Sequence, residues 1–463
     1  MNKPLPFSGF RVRVALISVF LLAASATMMA QPAPPEPSRQ QLLNGLQVLL
    51  WQRPGDQNVL LKMRIHSGAA YDLAGKAGLM ALLGDILFPD AETRQYFTDE
   101  LGGRLDVTTD YDGLTITMVG RAGEFERMVE ILRNALVSTP LTPENVTRLR
   151  EGRIRVLHDT NATPSSIADR AIAARLFGEF PYGRPASGAA ETVARIDRGD
   201  LMLARERFLN ADNATIVVAS NVDERRTMRT LRQLLGNWHK SDRLVPATFR
   251  QPEAPNEQIL IVNHIGAAEA EIRLATLGLA RSDRQVTAAA VLAVVGRDRW
   301  QAALAGSAKP VVFARHEAHQ VPGLFVMGTS VKSADAAKAI AAARTVIRSL
   351  LTTPPSAAEF EKARTEITTE LSKKVGDPAS LIDLWLDADT FKLKPLAEQI
   401  NGLRNLTPAN IHEVAIRLFK DKPLATVVLG TNDDIKQVLG GEKVEVLGES
   451  VAKPPTGPTS KKP

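Results

Sequence analysis

At 463 residues the chain is long enough for two or three domains with sizeable cores, and its 44% hydrophobic and 23% charged content is that of an ordinary soluble globular protein. The formal charge of +6 falls to +3 once Lys3, Arg11 and Arg13 are set aside, and no basic run carries interleaved aromatics, so nucleic-acid binding has no support. There is no cysteine, which excludes disulfides and a lipoprotein anchor and suits a bacterial periplasm.

Lys3, Arg11 and Arg13 precede an uncharged apolar run, residues 14–24, and small residues follow, with Ala24-Ser25-Ala26 matching a small-x-small cleavage rule. Residues 1–30 read as a cleavable secretory signal, with an uncleaved N-terminal anchor as the alternative. A Pro-rich linker follows at 31–39. NGLQVLLW and NVLLKMRIHSG then read as neighbouring strands closed by a turn. The stretch 75–88 carries Leu79, Leu82, Leu83, Ile86 and Leu87 at helical spacing. RLDVTTDYDGLTITMVG reads as two strands around an Asp-Gly turn, residues 122–137 and 143–159 as helices, NATIVVAS as a short strand, and 225–235 as a helix.

The pattern then repeats. LTPENVTRLREGRIRVLHDTNATPSSIADR, from Leu141, matches PSAAEFEKARTEITTELSKKVGDPASLIDL, from Pro355, at an offset near 214. RFLNADNATIVVASNVD, from Arg207, matches RLFKDKPLATVVLGTND, from Arg417, pairing Phe208 with Phe419 and Thr215 with Thr426. Two matches in register indicate one unit used twice. The expected domains are 40–243 and 257–450, joined by a linker at 244–256 and followed by a disordered tail at 451–463. Strands and helices in this order, without regular βα alternation, indicate an α+β fold.

The order and rough spacing of several segments carry a resemblance. These are NGLQVLLWQRP (residues 44–54), LLKMRIHSGAAYDLAGKAGL (60–79), GLMALLGDILF (78–88), LGGRLDVTTDYDGLTI (101–116), FPYGRP (180–185) and NADNATIVVASNVD (210–223). Together they resemble the insulinase/pitrilysin-type zinc peptidases, especially the mitochondrial-processing-peptidase-like bacterial branch. The resemblance implies two homologous domains, each an antiparallel sheet with helices packed on one face. It also implies an inverted His-x-x-Glu-His zinc motif on the 78–88 helix. The motif positions here are Ala81, Gly84 and Asp85. Alanine and glycine offer no ligand atom, and one aspartate cannot replace the three protein ligands of a catalytic zinc. The family's third ligand, a Glu on a later helix, falls near Arg155 or Val156, with Glu151 and Asp159 each a turn away. Gly84 is read equally well as a close-packing residue or as drift.

Other candidate chemistry is sparse. His316-Glu317-Ala318-His319 stops short of a His-Glu-x-x-His motif because position 320 is Gln, and reads as an exposed hairpin pair. His66, His158, His239, His264 and His412 are solitary. The family's substrate-gripping Arg and Tyr fall near Ala305 or Gly306 and near Val312 or Phe313, leaving Arg299 and Phe313 as candidate substrate contacts. The expectation is a catalytically inactive zinc-metallopeptidase homologue with no cofactor of its own. It would be the substrate-binding or structural subunit of an exported, periplasmic or secreted heterodimer, whose paralogous partner carries the zinc and which degrades or processes extended peptides. A non-proteolytic scaffold or peptide-binding protein, and an active metallopeptidase with a displaced metal site, are the alternatives.

Overall fold

Short runs of Val, Ile and Leu become strands, because branched aliphatic side chains pack well on a pleated surface. The computed structural model describes residues 34–159, 163–241, 249–250, 252–305 and 310–448; the expected signal segment and C-terminal tail lie outside these residues. In the first half the strands are β1 (Ser38–Gln41), β2 (Gln47–Gln52), β3 (Asn58–Ile65), β4 (Arg104–Thr109), β5 (Leu114–Arg121) and β6 (Ala214–Ser220). The helices between and after them are α1 (Leu79–Leu87), α2 (Ala91–Asp99), α3 (Phe125–Arg133), α4 (Pro143–Asp159), α5 (Pro164–Phe177), α6 (Ala190–Val193), α7 (Arg198–Phe208) and α8 (Glu224–Leu235). The second half has β7 (Ile259–Asn263), β8 (Ala270–Leu277), β9 (Val312–Glu317), β10 (Leu324–Val331), β11 (Ala425–Gly430) and β12 (Val444–Leu447). Its helices are α9 (Val286–Ala303), α10 (Ala336–Thr352), α11 (Ala357–Gly376), α12 (Pro378–Thr390), α13 (Leu396–Arg404), α14 (Pro408–Phe419) and α15 (Asn432–Leu439). This is the expected α+β fold of two related halves. The first strand takes Ser38 and Arg39 from the Pro-rich linker.

The sheets are mixed, not purely antiparallel. Their orders are β1-β2-β6-β3-β5-β4 and β12-β7-β11-β8-β10-β9. β2 runs parallel to β6, and β7 runs parallel to both β11 and β12. β2 and β3 are therefore not neighbours, as the sequence suggested. The strand β6, buried along its whole length, lies between them and satisfies an edge of each. The pairing of Thr215 with Thr426 also fails. Thr215 lies opposite Arg64, whereas Thr426 lies opposite Leu274 in the second core, so the two threonines point to opposite sheet faces. A one-residue slip has that effect in a period-two structure.

Each half packs its own core helices on one face of its sheet, as expected, and the opposite face is covered by a helix of the other half. On the first sheet, Leu381, Ile382, Trp385 and Leu386 of α12 pack against Leu49, Val217 and Ala219. On the second, Ala168, Ile172 and Leu176 of α5 pack against Ala275, Val326 and Val427. Polar groups align the exchange. Lys62 bonds Asp383 at 2.7 Å and Arg64 bonds Asp387 at 2.6 Å, pairing alternate β3 residues with successive turns of α12. On the other side Arg273, with a fully buried side chain, bonds Asp169 of α5 at 2.5 Å. A buried guanidinium is tolerated only when its donors are met, and Glu271 and the Ser165 hydroxyl take two more.

Candidate functional site

The α1 helix is fixed at its start by Asp72. Its carboxylate accepts hydrogen bonds from the Gly78 and Met80 amides at 2.6 and 2.8 Å, satisfying donors that the first turn leaves open. Burial raises this carboxyl to about 6. Gly78, at φ +97°, is required there, because a Cβ would also stand 2.8 Å from the Val193 side chain. Leu79, Met80, Leu82, Leu83, Ile86 and Leu87 bury one broad face in the first core. Gly84 turns toward the sheet, where an added Cβ would stand 3.1 Å from Val107 and 3.6 Å from the Thr109 hydroxyl of β4. That tightness favours the packing role over drift.

Ala81 and Asp85 share the remaining face, which α4 covers with Arg153. The Arg153 Nε donates to Asp85 Oδ2 at 2.7 Å and Nη2 to Oδ1 at 3.0 Å. Nη2 also donates to the Ala81 carbonyl at 3.1 Å, and Nη1 to the Ser187 carbonyl at 3.4 Å. This two-point fork is the strongest geometry available to a guanidinium and a carboxylate. Sequence spacing had put Arg155 or Val156 on this face. Both are exposed on α4, Val156 to 62%, and the residue one turn before Val156 faces α1 instead. The i, i+4 relation of Ala81 and Asp85 identified the face, but the helix phase of α4 could not be read without the fold.

A zinc ion does not fit these residues. Ala81 and Gly84 bring no donor, both Asp85 oxygens are engaged, and the nearest α4 side chain is a permanent cation. Among the described residues, no group of three or more His, Asp or Glu side chains is arranged to hold a metal ion. What the arrangement does is join two helices. The second half joins its equivalent pair in the same way. Arg297 of α9 forks onto Glu366 of α11 at 2.6 and 2.8 Å, and Arg299 reaches Glu359 at 2.7 Å. The Arg299 hydrogen bonds hold the Glu359 carboxyl down at about 2. We expect Asp85→Ala and Arg153→Ala each to lower stability by about 1.5–3 kcal/mol. Urea unfolding of both single variants and the double variant checks this, with a coupling above about 1 kcal/mol.

The two candidate substrate contacts are not brought together. Arg299 is committed to α11, on the face of the second sheet that holds the core of that half. Phe313 lies toward the opposite face, with the Arg273 and Arg315 guanidinium carbons 4.8 and 4.7 Å from its ring centre. Gly306 lies outside the described residues.

The His316–His319 pair is neither exposed nor shared. His316 Nε2 accepts the Leu279 amide at 2.8 Å, so the ring is neutral. Burial, aided by Arg281, lowers it to about 4. His319 crosses to the first half, where its Nδ1 lies 2.8 Å from Asp112 and the tilted Tyr182 ring lies 4.6 Å from its own. Because the folded value of His316 lies below the ordinary 6.5, its contribution is complete above pH 6.5 and is lost as pH falls through 4. That loss is worth about 3 kcal/mol. Urea unfolding at pH 7 and pH 4, compared between the parent chain and His316→Gln, isolates it, because burial lowers His66 to about 4 as well.

Beside α1, β4 ends the first sheet and leaves one edge unpaired among the described residues. Under it runs a groove of about 510 Å³ lined by Lys62, Arg64, Arg94, Arg104, Asp110 and Thr117, among others. The sequence identified β4 as a strand but not as an edge, because edge position follows from sheet order.

Residues 47–190 match the family model described as Insulinase (Peptidase family M16), and residues 195–367 match that of the Peptidase M16 inactive domain. Together the two models span more than half of the chain. An uncharacterized zinc protease of Rickettsia felis is 19% identical over 217 residues, covering 45% of this chain and 52% of that protein. The chain thus spans about half the length of such curated relatives. The peptidase M16 inactive domain from Pseudomonas fluorescens superimposes with a TM-score of 0.75 at 15% identity, covering 86% of this chain and 98% of that one. The periplasmic protease PqqL from Escherichia coli does so at 0.73 and 15%, covering 88% and 49%. At these identities the structural likeness shows the fold alone.

Proposed function

Because this chain belongs to the insulinase family, peptidase family M16, we propose that it is a catalytically inactive member that holds extended peptides for a zinc-bearing relative to cut. Peptide joins the first sheet as an added strand on the free edge of β4. Main-chain hydrogen bonds supply affinity in such an arrangement, and alternate side chains supply selectivity. The relative contributes the metal and the cleavage, and this chain contributes part of the chamber and the peptide seat.

The observation that carries this reading is the Arg153 fork onto Asp85. Hydrolysis by the family's route needs a positioned proton acceptor and a metal that lowers the pKa of water. A carboxylate locked onto an arginine supplies neither. Export is part of the proposal, supported by the charged, apolar and small-residue order of residues 1–30. One structural neighbour is described as periplasmic, and no helix among the described residues is long and apolar enough to cross a membrane.

The test is co-expression with a neighbouring gene product that retains His-x-x-Glu-His, followed by assay of an unstructured fluorogenic peptide. We expect hydrolysis by the mixture that exceeds the relative alone by roughly 10-fold or more, and none by this chain alone. Hydrolysis by this chain alone, abolished by Asp85→Ala, would instead establish a displaced metal site.

A further inference from the structure

The β4 edge also carries a charge preference, which rests on the peptide seat proposed above. Side chains of an added strand alternate between two faces. One set would lie toward α1, over Val107 and Thr109. The other would lie over the groove. Four cations line that groove, Lys62, Arg64, Arg94 and Arg104, against three carboxylates, Asp106, Asp110 and Asp383. Which of these charges is open to a ligand depends on their partners.

Three of the cations are committed. The Lys62 Nζ bonds both Asp383 oxygens, at 2.7 and 2.8 Å, and the Ala379 carbonyl at 3.1 Å. Arg64 bonds Asp387 at 2.6 Å and the Thr115 hydroxyl at 3.3 Å. Arg104 pairs with Asp106 at 3.0 Å on the strand itself. The carboxylates Asp106 and Asp383 are neutralised by the same pairs. Asp110 stands exposed just past β4, where one of its oxygens accepts the Asp112 and Gly113 amides at 2.8 and 2.7 Å and closes the β4–β5 turn.

Arg94 is different. It stands on α2, exposed, and bonds the Phe88 carbonyl at 3.3 Å. Among the described residues no carboxylate pairs with it. Its acidic helix neighbour Glu92 is about 200° away around α2. Arg94 is thus a guanidinium at the groove with most of its five donors open.

We infer that the β4 groove selects extended peptides carrying an acidic side chain on the groove-facing set, and that Arg94 is the specificity-determining residue. A basic side chain beside Arg94 would meet that guanidinium and the paired Arg104, whereas Asp110 stands past the opposite end of β4 from Arg104 with one oxygen tied to the turn.

The experiment measures fluorescence anisotropy of the whole chain with three fluorescein-labelled peptides. All alternate Val or Thr with a variable residue, which is Asp, Gln or Lys. At low salt the Asp peptide should bind roughly tenfold tighter than the Lys peptide, with Gln between them, and high salt should narrow the gap. Arg94→Gln should bring the ratio to about twofold or less, Arg94→Lys should retain most of it, and Arg94→Glu should reverse the order. Thermal unfolding of each variant should match the parent chain, since Arg94 is exposed. Equal binding of Asp and Lys peptides, or a preference that survives Arg94→Glu, overturns the inference and leaves the β4 seat standing. Failure of all three peptides to bind overturns the seat as well.

Discussion

Trp385→Ala is expected to lower the unfolding free energy by about 3–5 kcal/mol, the cost of removing a large aromatic side chain from a packed interior. Trp385 is 1% exposed and sits on α12, a helix of the second half that covers the first sheet. Its ring meets Trp51 edge-on at 5.2 Å, beside Leu49, Val217 and Ala219. The loss therefore falls on the contact between the halves and not within either core. Because α5 makes the reciprocal contact on the second sheet, neither half buries both faces of its sheet alone. A fragment of residues 34–243 should accordingly expose the β2, β3 and β6 face and aggregate. Urea unfolding followed by circular dichroism should show one cooperative transition, shifted to lower urea in the variant. A loss below about 1 kcal/mol, or two transitions in the parent chain, would contradict this coupling.

The second large effect concerns the vestigial face. Ala81→His, Gly84→Glu and Asp85→His together would rebuild the inverted motif on paper. We expect the triple variant to bind no zinc and to lose about 3–5 kcal/mol. Removing Asp85 leaves the Arg153 guanidinium without its carboxylate, and a side chain at position 84 meets Val107. The pair contributes about 1.5–3 kcal/mol and the overpacking about 1–3 kcal/mol, offset by less than about 1 kcal/mol from replacing a helical glycine. Adding Arg153→Glu removes the cation and provides a carboxylate on the face of α4 that meets α1. That quadruple variant should recover part of the stability when zinc is added. Isothermal titration and thermal unfolding read both outcomes. Tight zinc binding by the triple variant, with Arg153 in place, would show that the cation does not command this face.

Much of this was legible in the chain itself. Leu79, Leu82, Leu83, Ile86 and Leu87 announce a helix by spacing alone, and the loss of donors at 81 and 84 needs no structure. The two matched segments reveal the doubled α+β unit because they share order as well as residues. What could not be read is what each face meets. Ala168, Ile172 and Leu176 mark α5 as buried along one stripe, yet nothing local tells that the stripe lies on the sheet of the other half. Arg153 was hidden for a related reason. The count from Pro164 gives the right helix but misses its phase by two or three residues. His319 reads as one of an exposed hairpin pair, and its tie to Asp112 joins positions 207 apart in sequence. Such long-range pairings depend on the sheet order, which β6 changes by inserting between β2 and β3.

The most direct measurement is the zinc content of the purified chain after dialysis against micromolar zinc, read by mass spectrometry. With Arg153 holding both oxygens of Asp85, less than about 0.1 zinc per chain should remain. One zinc per chain, released by Asp85→Ala, would mean that the carboxylate serves a metal and that this half of the molecule is not a helper but a catalyst.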